Sequence, residues 1–152
     1  MIHGMDTGFL VSAEVVEHPD HAAARATLSR LLNDGDRVAL APQVLAEFIH
    51  VVTDSRRFSR PLEMSIARRI ALEWWTARQV DHVFPAAEAT RQFLDWLEHM
   101  RLGRKRLLDT LLAATYCKGG VRSILTTNPD DFGVFDCFGI ITPSGGDARR
   151  VS

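Results

Sequence analysis

The chain has 152 residues, 46% of them apolar and 24% charged, with 19 acidic and 18 basic side chains and a formal charge of −1. That length supports one domain with a sizeable core, the composition excludes disorder, and the balanced charge does not advertise a nucleic-acid binder. No run approaches the ~20 apolar residues of a membrane-spanning helix, and no basic-then-apolar signal opens the chain, so a soluble cytoplasmic protein with no membrane association is expected.

Residues 2–5 read as a first strand that ends at Asp6-Thr7-Gly8. Helical spacing follows over 9–16 (Phe9, Leu10, Ala13, Val16) and again from Pro19 to a stop at Asn33-Asp34-Gly35. Residues 37–41 form a second apolar strand, and Pro42 opens a helix over 43–53. In that helix Glu47 shares a face with Val44 and Val51, where a carboxylate costs free energy unless it is paired or holds a metal. A basic loop over 54–60 leads to a helix from Pro61 to Gln79. A third strand over 80–84 and a helix over 86–100 come next. Gly103 breaks the pattern before the most apolar helix, 105–118, which carries Asp109 on a face with Leu112, Ala113 and Tyr116. Gly119-Gly120 ends it, residues 122–126 give a fourth strand, 139–142 a short fifth, and 144–152 a flexible tail beyond a domain spanning 1–143. Strands alternating with helices predict an α/β fold with a parallel sheet of four to five strands and right-handed crossovers.

Cys117 and Cys137 make no C-x-x-C pair and are expected as reduced core thiols. No histidine falls in a ligand pattern, and no phosphate-cradling glycine loop or G-x-S-x-G elbow is present. Sixteen of the eighteen basic residues are Arg, grouped at Arg56–Arg69 and at Arg101, Arg104, Lys105 and Arg106. Each group is either a phosphate-contacting patch or a solvated helix face.

The fourth strand stops at Thr126-Thr127-Asn128-Pro129-Asp130-Asp131, a polar cluster where an open α/β sheet usually binds ligands. Asp6, Glu47 and Asp109 sit in segments that can reach the same edge. Converging carboxylates repel unless neutralised, and an all-oxygen donor set favours Mg²⁺ or Mn²⁺ over zinc. Such a site suits phosphate-ester hydrolysis.

In that order, Asp6-Thr7-Gly8, Leu45-Ala46-Glu47-Phe48, Leu108-Asp109-Thr110-Leu111-Leu112-Ala113-Ala114 and Thr126-Thr127-Asn128-Pro129-Asp130-Asp131-Phe132 resemble the PIN-domain ribonucleases. The similarity is strongest to the VapC-type toxins of toxin–antitoxin pairs, and it covers about residues 2–142. The resemblance implies one PIN-like domain in which Asp6, Glu47, Asp109 and Asp131 are the catalytic, metal-holding acids. The T-x-N-x-x-D-F spacing selects Asp131 over Asp130. Thr7, Thr126 and Asn128 are implied to hold the site or touch substrate, with Arg104 and Arg106 on the substrate phosphates. Also implied are an RNA substrate, a small antitoxin partner and a homodimer. Gly8 departs from the family, which often has Asn or a small hydroxyl residue there. Two rival readings are a non-catalytic PIN-like module that binds RNA or protein, and a Mg²⁺ phosphatase of another α/β fold.

Overall fold

The computed structural model describes residues 1–145 and the backbone of Asp147–Arg149. In chain order it runs β1 (Ile2–Met5), α1 (Thr7–Glu14), α2 (His21–Asn33), β2 (Arg37–Leu40), α3 (Pro42–Val52), α4 (Met64–Thr76), β3 (Val80–His82) and α5 (Ala87–His99). A 3₁₀ turn (Arg104–Arg106) leads into α6 (Leu107–Lys118), β4 (Ser123–Leu125), α7 (Pro129–Gly133), β5 (Gly139–Ile141) and β6 (Asp147–Arg149). One sheet takes the order β3-β2-β1-β4-β5-β6, parallel through the first five strands and antiparallel at β6.

The expected parallel sheet is therefore present with five strands, and two elements were not foreseen. One is the α7 turn after Pro129. The other is β6, which takes part of the segment expected as a tail; residues 146 and 150–152 lie outside the described residues. Helix α1 also starts two residues earlier than its apolar period suggested, because Asp6 caps it: its Oδ1 accepts from the Phe9 N–H at 2.7 Å.

Strands buried on both faces need apolar side chains throughout. Met5, Val38, Leu40, Ile124, Leu125 and Ile140 supply them and pack against Phe9, Leu10, Phe48, Tyr116 and Phe132 from the covering helices. Gly4 makes room for one of these: a Cβ there would stand 2.7 Å from the Tyr116 ring. At the amino ends of the strands, buried His3 lies 2.7 Å from Ser123 Oγ and 2.8 Å from Asp36 Oδ2, and Asp36 also takes the N-terminal ammonium. The order Ser–His–Asp is that of a hydrolytic triad, yet Ser123 is 4% exposed and its strand faces are covered. The trio stitches β4, β1 and the entry to β2 together, and the hydrogen bond from His3 holds the Asp36 carboxyl below its usual range.

Two other expectations are corrected. Cys117 and Cys137, expected as separate reduced thiols, are joined by a disulfide; α6 and the turn after α7 end side by side, a proximity that no local motif encodes. Leu107 and Leu108, expected among the core-packing residues of the apolar helix over 105–118, are exposed.

Candidate functional site

The strand order reverses between β1 and β4, so their carboxyl ends open a crevice at a topological switch point. Asp6 follows β1 and Thr126 follows β4, which places them face to face. Thr126 Oγ1 donates to Asp6 Oδ2 at 2.5 Å and accepts from the Asn128 N–H at 2.9 Å. Asp6 is thus buried (5% exposed) with one oxygen capping α1 and the other held by a neighbouring strand. Burial pushes its carboxyl up to about 7 against these two hydrogen bonds, and the charges of Asp109 and Asp131 add to the rise.

Glu47 comes from the second turn of α3. Its Oε2 accepts from Thr7 Oγ1 at 3.0 Å and its Oε1 from Gln43 Nε2 at 3.3 Å. The same Gln43 amide donates to the Leu108 carbonyl at 3.1 Å, tying α3 to the start of α6. Asp109 sits in the first turn of α6, where the helix dipole favours an anion. Burial again leads its rise to about 6; the Asp131 and Glu47 charges add to it and the Arg106 charge opposes it. These mutual effects bring all four predicted acids into one electrostatic neighbourhood.

Arg106 is turned inward, whereas Arg104 and Lys105 are exposed. Its Nη2 donates to the Asp131 carbonyl, Nη1 lies 3.9 Å from Asp131 Oδ1, and the guanidinium sits 6.0 Å above the Phe135 ring. In the other group, Arg56 and Arg57 pair with Asp54 just past the end of α3, and Arg69 pairs with Glu73. Gly8 is explained by crowding: a Cβ there would run into the Thr127 hydroxyl.

Two residues escaped the sequence reading. Gln43 could have been suspected from its i, i+4 spacing to Glu47. Tyr116 had no such signal: its hydroxyl donates to the Met5 carbonyl at 2.7 Å and accepts from the Ala41 N–H at 3.3 Å. It thereby fixes the backbone just before Asp6 against the start of α3. Tyr116→Phe should lower stability by about 1–3 kcal/mol, since two buried backbone groups lose their partner. Thermal melts of the variant and its parent check this, and an unchanged melt removes the role.

Among the described residues, no three His, Cys, Asp or Glu side chains close on a common point as a ready cage would require. The donor chemistry nonetheless fits a hard cation. Mg²⁺ keeps several of its waters and is held by only one or two carboxylates, so the remaining acids can act through water.

The fold and site define an α/β domain with a four-acid crevice at the switch point of its sheet. The chain belongs to the PIN-domain family, whose model matches residues 5–136. Among curated proteins it is 42% identical over 57 residues to a VapC ribonuclease of Mycobacterium bovis and to ribonuclease VapC43 of Mycobacterium tuberculosis. In both cases the match spans 38% of this chain and 39% of the relative. Among solved structures, VapBC2 from Rickettsia felis bound to a promoter DNA fragment superposes with a TM-score of 0.65 at 20% identity, covering 93% of this chain and 98% of that one. VapC20 of Mycobacterium tuberculosis, a sarcin–ricin loop cleaving toxin, gives 0.66 at 19% identity over 88% and 95%. No helix among the described residues is long and apolar enough to cross a membrane.

Proposed function

We propose that the chain is a metal-dependent endoribonuclease acting as the toxin of a toxin–antitoxin pair. The observation that carries this reading is the set of Asp6, Glu47, Asp109 and Asp131 gathered at the sheet's switch point, two of them with pKa values raised by burial and by the other acids. A non-catalytic module has no reason to keep such a mutually repelling set. A phosphatase using an Asp nucleophile after β1 typically carries D-x-D there, and Gly8 takes the place of the second Asp. The names of the matching relatives, which are ribonucleases, support the same reading.

Asp6 and Asp109 would hold Mg²⁺ or Mn²⁺, with Glu47 and Asp131 reaching it directly or through water. The ion supplies Lewis acidity and a counter-charge for the phosphodiester. Thr126 and the Phe9 N–H fix the Asp6 carboxylate, while Thr7 and Gln43 orient Glu47. Asn128 stands at the crevice, where its side chain would meet the substrate. Exposed Arg104 and Lys105 would take flanking phosphates, and Arg106 would steady Asp131. Solved VapBC complexes among the structural neighbours support an antitoxin partner. A homodimer is part of the same reading.

Cleavage of structured RNA with Mn²⁺ titrated in and then chelated tests the activity. Cleavage that appears with metal and stops with chelator is expected; RNA left intact at saturating metal would favour the non-catalytic module. Replacing Arg104 and Lys105 with Gln should weaken RNA binding and flatten the slope of log affinity against log salt by roughly two ion equivalents. An unchanged slope returns both residues to bulk solvent.

A further inference from the structure

The Cys117–Cys137 disulfide closes a loop that contains β4, Thr126, Asn128 and the whole of α7 with Asp131. Every site residue that follows α6 therefore lies inside this covalent ring. Helix α7 is short, and the backbone hydrogen bonds that follow its end are long: the Phe135 N–H donates to the Phe132 carbonyl at 3.3 Å and the Asp136 N–H to the Gly133 carbonyl at 3.4 Å. Asp136 adopts a left-handed φ of 52°, which swings Cys137 back toward the last turn of α6. Asp131 is held to the α6 segment from two directions, by Arg106 at one end and by the disulfide at the other.

Both cysteines are partly exposed, so a small thiol can reach the bond. Arg122 is held beside it: Nη1 donates to the Cys117 carbonyl at 2.7 Å and lies 3.9 Å from Cys137 Sγ. A guanidinium next to a sulfur stabilises its thiolate, and a stabilised thiolate is the better leaving group. We propose that this disulfide is a thiol-labile tether that fixes the α7 acid in the site, and that its reduction loosens the site.

The chemistry is thiol–disulfide exchange with a dithiol reductant. One thiolate of the reductant attacks Cys117 Sγ, the Sγ–Sγ bond breaks, and Cys137 leaves as the thiolate beside Arg122. The second thiol of the reductant, as thiolate, then attacks the reductant's own sulfur in the mixed disulfide and releases Cys117 as a thiolate. Two electrons pass to the protein, two protons complete its thiols, and the reductant becomes a disulfide. Phe132, Phe135 and Phe138 are buried in the core, so the fold should survive reduction and the change should be confined to α7 and the turn after it.

The consequence for cleavage rests on the nuclease reading; the tether itself does not. Protein purified without reductant should show no free thiols, and two after dithiothreitol. Hydrogen exchange of the metal-free protein should quicken on reduction at the amides of Asp131, Phe135 and Asp136, with β1 and β2 unchanged. A Cys117→Ser/Cys137→Ser double variant should match the reduced protein and ignore dithiothreitol; reduction of the parent gives the same comparison with no substitution. The Mn²⁺ titration midpoint, followed by fluorescence, should weaken by about tenfold on reduction, the low end of losses when a ligand's support is removed. Two free thiols at the outset, exchange indifferent to reduction, or a midpoint that does not move each overturns the proposal. Absence of Mn²⁺ binding in both states counts against the metal reading instead, and exchange then decides.

Discussion

Asp6→Asn should reduce RNA cleavage by more than about 100-fold while the protein melts no lower than its parent. The magnitude follows from its place: removing groups that merely support a metal ligand already costs roughly 10- to 100-fold, and Asp6 is assigned as a ligand itself. The stability half follows from its second task. Asn is as good an N-cap as Asp, so its side-chain oxygen can keep the 2.7 Å bond to the Phe9 N–H. The Thr126 hydroxyl can accept from an amide where it donated to a carboxylate. The substitution therefore removes charge and leaves the architecture, which Asp6→Ala would not. Cleavage rates and melts of the same preparation decide it. Near-parental activity would sink the site assignment, and a large drop in melting temperature would show that the charge itself holds α1.

Metal-free protein should grow more stable as pH falls from 8 to 5, and divalent metal should reverse that trend. Asp6 titrates at about 7 and Asp109 at about 6 in the folded protein, against roughly 4 for an unfolded chain. Between those values the folded state binds protons that the unfolded state does not, so stability declines as pH rises through the window. The penalty is complete above about pH 7 and absent below about pH 4. A carboxyl whose midpoint moves by one pH unit changes stability by about 1.4 kcal/mol, and partly exposed Asp109 contributes less than that because solvent screens it. Asp36 and Asp81 carry depressed values, so their stabilisation is lost only below the ordinary carboxylate range and leaves this window clear. Metal at one hundred times its dissociation constant would restore about 2.7 kcal/mol at neutral pH. Asp109→Asn should melt higher than the parent in chelator at pH 8, vary less with pH, and gain less from Mn²⁺. A variant that melts lower in chelator yet gains fully from Mn²⁺ would make Asp109 a structural residue.

Asp6, Glu47, Asp109 and Asp131 were expected together from the order of their motifs and the resemblance those motifs carry, and the structure brings them into one electrostatic neighbourhood; the alternation of strands and helices carried the parallel sheet. What could not be read depends on residues brought close by the fold. Arg106 looked like its neighbours Arg104 and Lys105 until the 3₁₀ turn aimed it at Asp131. Cys117 and Cys137 meet only because α6 and the α7 turn end together. Asp6 concealed a helix cap inside a motif that chemistry alone seemed to explain. Tyr116 read as one more apolar helix position, although its buried hydroxyl bridges the end of β1 and the start of α3.

The contact between Gly8 and Thr127 constrains how this crevice can diverge. A side chain at position 8 and the Thr127 hydroxyl, as it is placed here, compete for one space, so the effects of substitutions at the two positions should be coupled. Gly8→Ala should therefore be costly beside Thr127 and nearly free beside Thr127→Gly, a non-additivity that a double-mutant cycle would register. The departure from the family at Gly8 is thus half of a matched pair, whose other half lies at the end of a different strand.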